Sequence, residues 1–239
     1  MGSEMCIRDR TTTTLAVNAM PFVADPLAST LRPGMPVGML GIEMPTRRRN
    51  RVNAHVAKVS DQGFALEVDL TFGNCPQYIQ QRSVVFVRDP ADTAFKPQNT
   101  WMTELDATAR AMISAADTFF VASYVTPEND PRVEGVDVSH RGGSLGFVRV
   151  EGNTLTIPDY PGNNIFNTMG NFLLNPKAGL IFPDFDTGDL LQLTGTVELL
   201  WEDEVEIQAF KGAQRGWRFT VEKGVRLTAA LPFRAKLTG

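Results

Sequence analysis

The sequence predicts a mainly β protein with a few helices, in which one supersecondary unit is used twice. Val37 Gly38 Met39 Leu40, an acidic residue, a Thr and Asn53 Ala54 His55 Val56 are echoed by Ala178 Gly179 Leu180 Ile181 and Thr194 Gly195 Thr196 Val197. The offset stays at 141 (179 − 38, 187 − 46, 197 − 56), which argues against chance. Phe64, Leu66, Val68 and Leu70 alternate with the period of a half-buried strand, and each copy reads as a short strand, a segment with helical apolar spacing, then two apolar strands separated by a polar turn. Two like units meet across a pseudo-twofold axis, so their junction is the first place to look for a site.

Residues 1–11 read as a non-native or disordered leader, because MGSEMCIRDR matches nothing in the repeat and resembles cloning read-through. The first copy covers 12–72: a short strand from Thr14 to Val17, then strands over Pro36 to Ile42, Arg51 to Ser60 and Phe64 to Leu70, with Asp61 Gln62 Gly63 as a hairpin turn. A connector occupies 73–100, with a strand-like Val84 to Val87 and Pro and Asp clusters at its end.

The second copy covers 101–239. Its first helix is expected over Glu104 to Ala116, capped by Thr103, with Leu105, Ala109, Met112, Ile113 and Ala116 on one stripe. A buried strand over Thr118 to Val125 follows, then two strands interrupted by Ser139 His140 Arg141 Gly142 Gly143. Next come Gly146 to Val150 and, after Glu151 Gly152 Asn153, Thr154 to Ile157. A helix from Asn164 to Leu174 precedes strands over Ala178 to Pro183 and Asp189 to Trp201. A last pair, Gly216 to Glu222 and Val225 to Leu231, closes a small β-barrel. The first copy starts late in this unit and is therefore expected to be truncated at its N-terminus.

Composition removes several function classes. With 43% apolar residues, 21% charged residues and a formal charge of −4, the chain has the balance of a globular protein without a nucleic-acid-binding charge. No apolar run approaches the roughly 20 residues of a membrane span, and no signal-peptide core is present, so a cytoplasmic setting is expected. Two cysteines and two histidines make neither a disulfide framework nor a metal-ligand spacing. Phosphate-binding Gly loops, dinucleotide fingerprints and a nucleophile elbow are missing too. Cys75 beside Pro76 reads as structural rather than as a nucleophile.

What remains is a concentration of small polar groups in the second copy. Ser139, His140 and Arg141, followed by two glycines, combine a cation, a hydrogen-bonding ring and backbone open to close approach. Asp159 and Tyr160 precede Asn164 and a helix whose first turns carry Asn167, Thr168 and Asn171, and a helix start with exposed amides suits an anion. Singly, each has a plainer reading: Asn164 as a helix cap, the glycines as a bulge, His140 as a surface histidine. Together they favour a phosphorylated planar ligand. The basic run Arg47 Arg48 Arg49 with Arg51 reads equally as a solvated turn or an anion contact.

The second copy resembles the FMN-binding split barrel of the pyridoxamine 5′-phosphate oxidase family. Asn175 Pro176 Lys177 Ala178 Gly179 Leu180 Ile181 Phe182 and Leu190 to Glu198, ending in Gly195 Thr196 Val197, carry the resemblance over about Ala115 to Trp201. It implies a six-stranded barrel, two of which associate with FMN in the crevice between them, as a homodimer or a pseudo-dimer. Ser139, His140 and Arg141 would then lie beside the ring or phosphate, Asp159 and Tyr160 at the ring edge, and Asn167 and Thr168 where the family often has basic phosphate ligands. Neutralising the phosphate falls to Arg141, the arginine run or Arg82.

The family's C-terminal substrate pattern is not intact, although Trp217 and Arg218 imitate part of it, so pyridoxamine phosphate oxidation is not expected. The tandem arrangement is similar to duplicated flavin-nucleotide-binding proteins, some of which continue into a ferredoxin-reductase-like module. The resemblance implies an FMN-dependent oxidoreductase of unknown substrate, with flavin and an electron donor as partners. The alternative is a noncatalytic flavin- or haem-binding module that supports a redox partner.

Overall fold

A computed structural model of the chain describes residues 13–73, 76–92, 94–126, 128, 135–162 and 166–238. The first part is a four-stranded antiparallel sheet of β1 (Thr14–Val17), β2 (Pro36–Glu43), β3 (Arg48–Ser60) and β4 (Gly63–Gly73), in the order β1-β4-β3-β2. A one-turn 3₁₀ helix, Pro26–Ser29, lies between β1 and β2, with Asp25 as its cap. Ala54, Val56 and Leu66 form this sheet's small core with Leu31, Met35, Val37 and Met39 around them.

The second part is larger. It contains β6 (Asn99–Met102), α1 (Ala107–Ala115), β7 (Thr118–Val125), β8 (Gly135–Gly142), β9 (Arg149–Glu151), β10 (Thr154–Asp159), α2 (Asn167–Leu174), β11 (Lys177–Pro183), β12 (Leu190–Leu200), α3 (Val205–Gln208) and β13 (Arg215–Leu227). Its strands follow the order β8-β7-β11-β12-β13-β10-β9, with β6 also on β13. The sheet bends back on itself, since Phe119 of β7 reaches Trp217 of β13, a strand three places away, with ring centroids 6.2 Å apart. Trp217, Phe119, Phe182 and Phe219 are fully buried there, and aromatic side chains of this kind dominate the apolar area a core removes from water. Between the two parts, β5 (Arg82–Phe86) pairs with β14 (Phe233–Leu237), which ties that segment to the C-terminal end.

The hairpins β2–β3 and β11–β12 share a register. Gly38 pairs with Asn53 and Leu40 with Arg51, while Gly179 pairs with Thr194 and Ile181 with Gln192. Each third strand then pairs with a register shift, between Asn53 and Ala54 in one case and between Thr194 and Gly195 in the other.

Several expected boundaries differ. The last pair of strands is one continuous strand, β13, because Gly224 makes no reversing turn. It lies opposite Leu193, where a Cβ would come within 2.6 Å of the Leu193 side chain, so a glycine mid-strand meets close approach here. Ser139 to Gly142 likewise lie within the unbroken β8, and Gly142 is required because a Cβ would collide with the carbonyl oxygen of Tyr78. Arg48 and Arg49 belong to β3, leaving Arg47 in the turn with φ 59°.

Helix α1 starts at Ala107, three residues later than expected. Its cap is Asp106, whose Oδ1 accepts from the Ala109 N–H at 2.7 Å, while Leu105 N–H donates to Asn153 Oδ1 instead of joining the helix. Helix α2 starts at Asn167, after Phe166 in a left-handed conformation with no side-chain cap, and the expected cap Asn164 lies outside the described residues. The Ala109 N–H, more than any other group, holds the Asp106 carboxyl below the usual carboxylate range. Asp106→Ala should cost about 1 kcal/mol and lower the melting temperature by roughly 2–4 °C. A melting curve superimposable on wild type would remove Asp106 from its capping role.

Candidate functional site

The face of β8 that carries Asp137, Ser139 and Arg141 alternates with the face that carries Val136, Val138 and His140, as strand geometry requires. Both faces are covered by the first sheet or by the helix that follows. At Gly38 the first hairpin lies against the β8 backbone, and a Cβ there would sit 3.4 Å from Val138 N.

Arg51, on β3, projects into this junction. It is buried, donates from Nη1 to Asp137 Oδ1 at 2.7 Å and from Nη2 to Ser139 Oγ at 2.6 Å, and lies 5.5 Å from the Phe72 ring centre. Thr168 donates its hydroxyl to the other oxygen of Asp137 at 2.8 Å. One carboxylate thus joins the first hairpin, β8 and α2. Burial, the largest influence on Arg51, pushes its pKa down, and Asp137 opposes that shift.

A second buried pair lies nearby. Arg82 Nη2 donates to both oxygens of Asp117 at 2.5 Å, and its guanidinium stacks 4.5 Å above the Phe185 ring. A third group is centred on Asp159, which accepts from Arg141 Nη1 at 2.7 Å and from Arg215 Nε at 3.0 Å. Arg215 in turn stacks 4.5 Å over Phe166, at the start of α2. The Nε of Arg141 is buried with no hydrogen-bond partner among the described residues.

His140 sits amid these cations. It is 7% exposed, packs edge-on against Phe120 with centroids 5.7 Å apart, and its pKa is lowered to about 3. Burial is the main cause, followed by Arg49, Arg141, Arg51 and Arg82. The space between His140, Ile42, Met44, Ile79 and Phe185 has a volume of only about 10 Å³, which admits no ring.

The structure therefore divides the expected site residues into groups. Ser139 and Thr168 join the Arg51–Asp137 network, and Asn171 Nδ2 donates to Ser123 Oγ at 3.0 Å. Arg141 and Asp159 come together beside Arg215, and Asn167 opens α2 with its side chain half-buried. Tyr160 packs against the main core, and burial raises its pKa; its ring lies 6.3 Å from that of Tyr78 at 32°. Tyr78 also donates its hydroxyl to the carbonyl of Pro161. Asn164 lies outside the described residues.

Asp137, Asp117, Arg215 and Tyr78 were not singled out from the sequence. Asp137 had a readable signal, since an acid between Val136 and Val138 in an alternating strand needs a buried partner. Nothing local marks Arg215. Among the described residues no group of three or more His, Cys, Asp or Glu is placed to hold a metal, and no helix is long and apolar enough to cross a membrane.

Residues 105–228, just over half of the chain, match the family model described as pyridoxamine 5′-phosphate oxidase, and the chain belongs to that family. No curated protein matches. Among solved structures, a tagged single-site variant of HupZ from Group A Streptococcus is similar with a TM-score of 0.40 and 14% identity, over 51% of this chain and 98% of that one. A candidate pyridoxamine 5′-phosphate oxidase from Lactobacillus delbrueckii gives a TM-score of 0.38 and 14% identity, over 52% and 94%. An FAD-binding protein from Mycobacterium smegmatis gives 0.33 and 13%, over 53% and 98%.

Two outcomes follow from the electrostatics. Asp137→Ala should destabilise the fold by about 3–5 kcal/mol, since it strands a buried guanidinium, and a loss below about 1 kcal/mol in chemical denaturation would contradict the buried pair. His140 stays neutral in the folded chain down to about pH 3, whereas its unperturbed counterpart takes up a proton below 6.5. Its contribution to stability is thus complete above pH 6.5 and lost progressively as pH falls toward 3. Denaturation across this range should show a shallower pH dependence for His140→Gln than for wild type. Parallel profiles would show that His140 is not buried in its neutral form.

Proposed function

We propose that the chain binds FMN at the junction of β8, the Tyr160 to Gly162 loop and the start of α2, and that it is a flavin-dependent oxidoreductase with a small-molecule substrate. The observation that carries this reading is Arg141: a guanidinium with a buried Nε and no hydrogen-bond partner for that atom among the described residues, beside Arg215 and an uncapped helix start. Such a donor suits a phosphate oxygen. Membership of the pyridoxamine 5′-phosphate oxidase family supports a flavin as the ligand, and the rings of Tyr160, Tyr78 and Phe166 offer flat apolar surface for a planar group.

The fit distinguishes among the residues. Ser139, Thr168 and Asn171 are committed to protein partners, so phosphate binding falls to Arg141 and Arg215, with Asn167 at the helix start. A bound flavin would supply the electron-transfer chemistry. The protein's part is to hold the anion and to exclude water from the ring.

One observation favours a noncatalytic carrier of flavin or haem. His140, the one histidine among the expected site residues, is buried and neutral, and it packs against Phe120. We also read the chain as a duplicated unit, with residues 12–72 the partial first copy, 73–100 the connector and 101–239 the second. The shared register and the matched register shifts of the two hairpins support that reading. The flavin site then lies inside one chain, at a pseudo-dimer junction, in a cytoplasmic protein.

Titration of the purified protein with FMN should give a bound-flavin visible spectrum. Arg141→Ala should weaken FMN about tenfold or more while leaving riboflavin, which lacks the phosphate, nearly unaffected. Reduction of the bound flavin by a nicotinamide donor supports the oxidoreductase, and bound flavin that no nicotinamide donor reduces supports the carrier. A protein that stays colourless and does not quench flavin fluorescence contradicts the oxidoreductase and the flavin carrier alike.

A further inference from the structure

Three distant parts of the chain converge on a cleft of about 390 Å³ that shares no lining residue with the Arg141–Arg215 junction. One wall is the end of α1, with Met112 and Ala116; a second is the end of β11 and the turn after it, with Phe182 and Phe185. The third is the β5–β14 ribbon, through Arg82 and its strand partner Leu237. The volume falls within the roughly 300–1,000 Å³ of small-molecule sites.

The walls are tied to one another. Gly143 and Gly146 donate their N–H groups to the carbonyls of Asp117 and Ala116 at 3.0 and 3.3 Å, which pins the loop carrying Leu145 to the end of α1. Ala235 N–H donates to the Phe185 carbonyl at 3.1 Å, and Phe182 stacks on Phe119 with centroids 5.0 Å apart. The fold itself therefore shapes the cleft, and little ordering is left for a ligand to cause. Leu145 and Leu237, both lining residues, are 72% and 51% exposed, apolar surface that an occupant would remove from water.

Charge selects the class of ligand. In the lining, Asp117, Asp184 and Asp186 outnumber Arg82 and Lys236, so an anion finds no surplus of positive charge. A cation is served no better. Buried Asp117 is already held by Arg82, and Asp184 Oδ1 accepts from the N–H groups of Asp186 and Thr187 at 2.9 and 3.0 Å. Either ion would lose water without gaining a free buried counter-charge. Arg82 nonetheless keeps hydrogen-bonding capacity, because Asp117 takes both of its bonds from Nη2, while Nε and Nη1 donate to no group among the described residues. Asp117 and the Phe185 ring fix the guanidinium in place.

We infer that this cleft binds an uncharged, mainly apolar small molecule carrying a carbonyl-type acceptor, which Arg82 receives while Met112, Leu145, Phe182 and Leu237 enclose the apolar body. The site is separate from the proposed flavin site and does not depend on it.

Four probes on one ring skeleton test the inference: 1-indanone, indane, 1-aminoindane and indane-1-carboxylate, which are a neutral acceptor, a plain hydrocarbon, a cation and an anion. Titration of the full chain is followed by the methyl NMR signals of Met112, Leu145 and Leu237. Indanone should shift these signals and bind about tenfold more tightly than indane, the worth of one hydrogen bond to a charged group. Arg82→Met combined with Asp117→Leu replaces the ion pair by apolar side chains without stranding a charge; it should abolish the preference for indanone and keep the binding of indane. Leu145→Ser, at an exposed position that leaves the fold intact, should weaken both. Signals that no probe moves, a charged probe that binds most tightly, or equal affinity for indanone and indane in wild type would each overturn the inference. FMN that displaces indanone would also overturn it, by making the cleft part of the flavin site. Titration with FMN alone reads the proposed function independently of these outcomes.

Discussion

The buried pair of Arg51 and Asp137 is the interaction on which the rest of the structure depends. Asp137 accepts from Arg51 on the first hairpin and from Thr168 on α2, while Ser139, two residues along the same strand, accepts from the second guanidinium nitrogen. Removing either charge leaves the other in a low-dielectric junction without solvent, which is far costlier than losing an exposed salt bridge. The network fixes where the first sheet sits on the second, and with it the position of Arg49 near His140 and the start of α2.

A consequence follows for the candidate site. Three aspartates, Asp137, Asp117 and Asp159, hold Arg51, Arg82, Arg141 and Arg215 in place, so the junction is rich in guanidinium groups without being an unbalanced positive cavity. In the proposed function, cations fixed in this way would receive an anion at Arg141, whose Nε has no hydrogen-bond partner among the described residues. His140 cannot share the task, because the same cations and the same burial keep it neutral.

Much of the fold was legible in the sequence where side-chain pattern alone decides. β7 was read over its full length from a buried apolar run, and the hairpins from alternation and a polar turn. Two of the differing boundaries share one cause. Gly142 and Gly224 resemble strand breaks locally, but they permit close approach by Tyr78 and Leu193, neighbours supplied by distant parts of the chain. The site was legible in composition more than in partnership: Arg51 and Asp137 are 86 residues apart, and nothing near either one names the other. Thr168 and Asn171 have the chemistry of ligand contacts, yet tertiary packing assigns them to Asp137 and Ser123.

If the Arg51–Asp137 network joins the two sheets into one cooperative unit, the two sheets should unfold together. The most direct measurement follows denaturant unfolding with two probes at once: tryptophan fluorescence, which reports on the second sheet because Trp101 and Trp217 lie in it and Trp201 directly follows β12, and amide exchange of β3 in the first. The account predicts coincident midpoints in wild type that separate in Arg51→Met. Midpoints already separate in wild type, with β3 exchanging well before the tryptophans report unfolding, would contradict it.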